Sequence, residues 1–241
     1  MMDYRSSRQA FGRPYASDVV AAEQQRFMVR VYNWMCGGLA LTGIVAYIVA
    51  SDPALMKAIF TSPIIMIGLV IAQLGLVFWL AARIMHMSAM TAMTAFMGYS
   101  ALTGVTFSSI FVVYTASSIT SAFLVTAGTF AAMSFVGYTT KKDLTSLGGF
   151  LFMGLIGIVI ASVVNMWLHN PAIYWVTTYA GVLIFVGLTA YDTQRIKEMN
   201  IIGNEGTEED TKEAISGALM LYLDFINLFL MILRLMGGSR D

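Results

Sequence analysis

Between Ala214 and Leu233 the chain carries one charged side chain, Asp224. A carboxyl group at membrane depth costs about 2.5 to 3.5 kcal/mol on insertion scales, so it faces protein or water and commonly serves a function. A second acid, Asp192, closes the run Gly187, Leu188, Thr189, Ala190, Tyr191; of the 14 acidic residues only these two lie inside or at the edge of apolar stretches. Two carboxyl groups held close in low dielectric cannot both ionise easily and share a proton instead. The chemistry on offer is pH sensing and gating of a cation pathway. Asn227 follows Asp224 by one helical turn on the same side, and Tyr191 and Thr189 flank Asp192. Arg83, the one basic residue closing the second apolar stretch, could latch a carboxylate. Simpler readings stand beside these: Asp224 neutral and hydrogen-bonded to a neighbour, Asp192 a rim carboxylate near Arg195, Arg83 a snorkelling anchor.

Paired aspartates also serve intramembrane proteolysis. Tyr191 and Asp192 fit half of such a site, but the Gly-x-Gly-Asp half reads Leu221, Tyr222, Leu223, Asp224, with no glycine where the backbone must open. His86 and His169 fall at the ends of apolar runs, and neither belongs to an H-E-x-x-H motif. The single cysteine, Cys36, sits among Gly37, Gly38 and Ala40 and reads as packing. No phosphate-cradling loop follows a strand, and no His/Cys cluster has ligand spacing. The expectation is a chain that is not an enzyme and needs neither an organic cofactor nor a structural metal.

The elements that hold these residues follow from composition. The 241 residues are 58% hydrophobic and only 12% charged, about half the charge of a soluble domain; mean hydropathy is +0.73. Lipid is the solvent this implies, and a net charge of zero gives no pull toward nucleic acid. A spanning helix needs about 20 apolar residues. Val31 to Ser51 and Ala58 to Ala82 each supply one. The 57 residues between Arg83 and Lys141 contain no Asp, Glu, Lys or Arg and supply two, turning at Tyr114 to Ser118. The 48 between Asp143 and Asp192 supply two more, broken at His169, Asn170 and Pro171. Ala214 to Leu233 is the seventh.

The expected organisation is an all-α membrane protein: a cytoplasmic tail over residues 1–30, a seven-helix domain over 31–235 and a short tail over 236–241. Seven spans place eleven of the 14 basic residues on the side of the N-terminus. Lys and Arg favour the cytoplasm in short loops, so the N-terminus should be cytoplasmic and the C-terminus outside. Hydroxyl and small residues crowd the third and fourth spans, among them Ser100, Thr103, Thr126 and Gly128, and Gly157 and Ala161 repeat the pattern in the fifth. They predict close helix packing. The segment Thr193 to Glu213 reads as a solvated loop in which Thr207, Glu208, Glu209 and Asp210 cap the last helix. Counted from flanking loop charges, Asp192 lies ~5 Å deep and Asp224 ~16 Å. The two can meet only if Asp192 reaches inward.

The stretches GLTAYDT (Gly187 to Thr193) and LYLDFINLF (Leu221 to Phe229) closely resemble the signature segments of the Bax inhibitor-1 family. The likeness runs from about Arg26 to Met236, including Lys141, Lys142, Asp143 and Leu144, and the chain is similar to the bacterial inner-membrane branch. The resemblance implies six helices around a central seventh and a proton-sensitive calcium leak, with Asp192 and Asp224 bonded to each other and transiently meeting calcium. It implies an arginine of the second span, here Arg83, latching the sixth-span aspartate. It also implies control of a membrane-bound protease, so a partner-binding regulator without transport of its own is the alternative function.

Overall fold

The computed structural model describes residues 17–238. Among these described residues nine α-helices follow in order: α1 (Ser17–Ser51), α2 (Pro53–Phe60), α3 (Pro63–Arg83), α4 (Ala89–Phe107), α5 (Ile110–Val113), α6 (Ala116–Thr139), α7 (Thr145–Leu168), α8 (Pro171–Met199) and α9 (Glu208–Met236). The described residues contain no strand. Seven helical segments are long and apolar enough to cross a membrane: α1, α3, α4 run on into α5, α6, α7, α8 and α9. The protein is an all-α, multi-pass membrane protein.

Local chemistry starts and stops these helices where the sequence predicts. Asp52 accepts from the amides of Ala54 and Leu55 at 2.8 and 3.2 Å ahead of Pro53. Asn170 accepts from Ala172 at 2.8 Å ahead of Pro171; a proline in the first turn gives up an amide that has no helical partner anyway. Thr115 caps α6 through Ser118, and Thr207 caps α9 through Asp210. His169, at φ 49°, takes the left-handed conformation that closes α7. Several boundaries differ from expectation: α8 runs on past Asp192 to Met199, and α9 begins at Glu208, ahead of Ala214. The first span does not begin near Val31: α1 continues back to Ser17, inside the segment read as tail. The remainder of the two tails, residues 1–16 and 239–241, lies outside the described residues.

The core sits on α9. Two-thirds of its apolar window, 67%, is buried inside the protein, against 6% for the span containing α3. Tyr222 meets Phe96 and Tyr99 of α4, each ring at 5.8 Å. Phe225 meets Phe123 and Phe130 of α6 at 5.6 and 5.4 Å. The helices packed most closely on α9 are α1, α4, α6 and α8, while α3 packs mainly on α4 and α7 mainly on α8. The last helix is therefore the most enclosed, with α1, α4, α6 and α8 packed closest on it.

Polar groups in lipid must be satisfied by protein. The Tyr222 hydroxyl and Thr42 Oγ1 share a 2.7 Å hydrogen bond, and Thr42 also donates to the Ser100 carbonyl at 2.8 Å. Gln73 on α3 donates to Thr103 at 3.0 Å and accepts from Thr106 at 3.1 Å. Ser100 and Thr103 donate in turn to carbonyls one turn back in α4. The hydroxyl-rich third span is thus internally bonded. Close helix approach does occur, but not at all the expected residues. A methyl group at Gly104 would strike the Thr42 carbonyl, and one at Gly137 would strike the backbone of Ala190. Gly128 and Gly157 have open space before them; small residues promote contact only on the face that meets another helix.

Candidate functional site

α8 and α9 run antiparallel, joined by residues 200–207. Gly217 packs on Ile196 near the joined end and Gly181 on Met231 near the other. This register puts Leu188 level with Asp224 and leaves Asp192 about one helical turn, ~5.4 Å, nearer the loop. The Cα–Cβ bond of a helical residue tilts toward the N-terminus of its own helix. In antiparallel helices the tilts oppose: Asp192 leans away from the loop, into the bundle, and Asp224 leans toward the loop. The gap closes, and the two carboxyl groups lie within hydrogen-bonding reach.

Sequence counting overstated the obstacle. It took Arg195 as the membrane boundary, whereas α8 remains helical to Met199. No movement of Asp192 is required.

The pair borders a cavity of about 540 Å³ between α7, α8 and α9. Phe152 and Leu155 of α7, Leu188 and Tyr191 of α8, and Met220 and Leu223 of α9 supply much of its apolar wall. Asp224 is 5% exposed, and its Oδ2 is buried without an amide or hydroxyl donor among the described residues. The group it faces is the carboxyl of Asp192, which donates only when protonated. Arg195, exposed and one turn beyond Asp192, lines the same cavity and acts electrostatically on Asp192.

The other expected site residues divide. Asn227 lines the cavity and donates to the Leu223 carbonyl at 2.8 Å. Tyr191 lines it too, its ring lying where any side chain at Gly148 would be. Thr189 does not; it is fully buried and donates to the Phe185 carbonyl at 2.7 Å. Arg83 is not brought to the pair. It is exposed at the end of α3 and absent from the cavity wall, so the cation near the carboxylates is Arg195. The contribution of α7 escaped sequence reasoning; Gly148, against which the Tyr191 ring packs, was its visible signal, while the neighbouring Gly149 faces open space. Among the described residues no group of three His, Cys, Asp or Glu is arranged to hold a metal ion.

The joined end is shorter than the Thr193 to Glu213 loop expected, residues 200–207, and although most of it is exposed it is tied to α1. Arg26 of α1 grips Glu205 through Nε and Nη2 at 2.8 and 2.9 Å, and Arg30 reaches Asp210 at 2.7 Å. The Glu23 carboxylate accepts from the Gly203 amide, and Asp210 from the Gly206 amide, at 2.7 and 2.8 Å. Both glycines have positive φ, 94° and 81°, where a side chain would be strained. Glu208 accepts from the Ala89 amide at 2.7 Å at the start of α4. Thr207 does cap α9 by accepting from the Asp210 amide, and Glu208, Glu209 and Asp210 stand in its first turn, as the sequence indicated.

A protein-family model described as inhibitor of apoptosis-promoting Bax1 matches residues 24–241. The chain is 56% identical over 217 residues to inner membrane protein YbhL of Escherichia coli K12, covering 90% of this chain and 93% of that protein. Uncharacterized proteins of Borreliella burgdorferi (42% over 218 residues; 90% and 94% covered) and Deinococcus radiodurans (43% over 215; 89% and 91%) are also similar. With a bundle of seven spans, an aspartate pair in GLTAYDT and LYLDFINLF and these matches over most of its length, the chain belongs to the Bax inhibitor-1 family.

Proposed function

We propose that this protein is a pH-sensitive cation leak in which Asp192 and Asp224 form the gate. The observation that carries the reading is the meeting of the two carboxyl groups inside a cavity of the bundle, with Asp224 lacking any other donor at Oδ2. While one proton is shared, the pair is a hydrogen bond that ties α8 to α9. Removal of that proton leaves two adjacent negative charges, which repel by roughly 4 kcal/mol at about 4 Å and an effective dielectric of about 20. α8 and α9 then separate, and the freed carboxylates offer oxygen ligands of the kind calcium takes. Leak should rise with pH. Calcium as the ion is carried over from the family likeness.

This reading does not include catalysis. α9 is continuous from Glu208 to Met236, so the backbone beside Asp224 is not opened as an aspartyl protease would need. We further place the protein in a bacterial inner membrane, as the name of the E. coli relative states for that protein, with its N-terminus in the cytoplasm.

The test is calcium entry into proteoliposomes across a pH series, for wild type, Asp192→Asn and Asp224→Asn. An asparagine amide donates to the remaining carboxylate at any pH, so each variant should lose the pH dependence and stay near the low-pH leak. Profiles identical to wild type would refute the gate.

A further inference from the structure

A second cavity, about 470 Å³, lies between the same three helices at the end away from the joining loop. It shares Leu155, Phe185 and Asn227 with the aspartate cavity. Its outer part is polar: Asn165 near the end of α7, Tyr174 in the first turn of α8 and Arg234 in the last turn of α9. Its inner part is apolar, lined by Ile158, Val159, Phe185 and Met231. The Arg234 guanidinium carbon sits 5.7 Å from the Tyr174 ring centroid. Among the described residues no carboxylate forms an ion pair with it. Stacking on one face orients the guanidinium, and its edge donors make no hydrogen bond among the described residues. All three helix ends meet here, and a guanidinium edge beside an apolar slot matches a phosphate headgroup followed by an acyl chain.

We propose that this cavity holds an anionic phospholipid, with its phosphate on Arg234 and one acyl chain along Val159, Phe185 and Met231. The chain ends against Leu155, Phe185 and Asn227, the wall shared with the aspartate cavity. The site is independent of any leak.

Native mass spectrometry of the purified full chain, offered equal amounts of phosphatidylglycerol and phosphatidylcholine, reads it directly. Wild type should retain phosphatidylglycerol about fivefold better, as one basic residue at an anionic headgroup provides. Arg234→Gln should abolish the preference, and Arg234→Lys should keep part of it. Ser162→Phe, which fills the cavity from α7 and leaves the arginine in place, should reduce retention of both lipids. Arg83→Gln, at the opposite end of the bundle, should change neither. Equal retention of the two lipids by wild type, an unchanged preference in Arg234→Gln, or undiminished retention in Ser162→Phe would overturn the proposal. Displacement of phosphatidylglycerol by inorganic phosphate would overturn it too, since a site filled by phosphate alone has no use for an acyl chain.

Discussion

Two acidic regions lie one above the other in this molecule, and they are built oppositely. At the joined end of α8 and α9 the carboxylates that hold the loop are answered: Glu205 by Arg26, Asp210 by Arg30 and the Gly206 amide, Glu23 by the Gly203 amide. In the aspartate cavity, Asp224 Oδ2 has no such donor and the carboxyl faces another acid. The residue types are the same; the partners are not. An answered carboxylate fixes a loop in place. An unanswered pair depends on a proton, the one ligand whose supply changes with pH. The fixed region also anchors α1 to the loop that joins α8 to α9, so that any separation of these two helices starts from a held end.

The comparison can be broken or sharpened by substitution. Asp210→Asn should have the largest effect on stability, because it weakens a part-buried bond to Arg30 and the contact to the Gly206 amide. A loss of about 1.5 to 3 kcal/mol is expected for a charge-assisted bond of this kind, read by thermal unfolding in detergent. Asp224→Asn should do the reverse. Its amide donates to Asp192 with no proton required, giving a gain of about 1 kcal/mol; a loss comparable to that of Asp210→Asn would place both acids in one structural class.

Glu205 gives a weaker, pH-dependent effect. The Arg26 bond holds its carboxyl below the ordinary glutamate value of 4.5. A depressed value in the folded state means stabilisation that is complete above 4.5 and lost as pH falls through the lower, folded value. Wild type should thus unfold at a higher temperature than Glu205→Gln near neutrality, with the difference fading below that range and also in high salt, since the pair is partly exposed. A difference that persisted in acid would assign the effect to packing. Arg83→Gln should have the smallest effect, leaving the pH profile of the leak unaltered because Arg83 does not line the aspartate cavity.

Hydropathy and charge spacing made the seven spans legible, since a charge-free run of 57 residues can fold in a bilayer only as two helices. The breaks at Thr115 and at His169 to Pro171 were legible because capping and proline chemistry is local. What escaped was long-range pairing. Arg26 and Arg30 marked the end of the first span when read as solvated charges, yet they lie within α1 and bind acids some 180 positions away. Arg195 marked a membrane edge although α8 passes through it. Gly128 and Gly104 look alike in sequence, and only the packing shows that Gly104 meets a backbone. The aspartate pair was visible as two anomalies of hydropathy, but their meeting depended on the opposed tilts of side chains in antiparallel helices.

The central claim is that Asp192 and Asp224 hold one proton between them. Infrared difference spectroscopy of the carboxylic acid C=O stretch, taken through a pH titration of the reconstituted protein, tests it most directly. The account predicts a single protonated carboxyl whose band disappears as the leak rises and is missing from both Asp192→Asn and Asp224→Asn. A band that survives in either single variant would show that each acid titrates alone and would contradict the account.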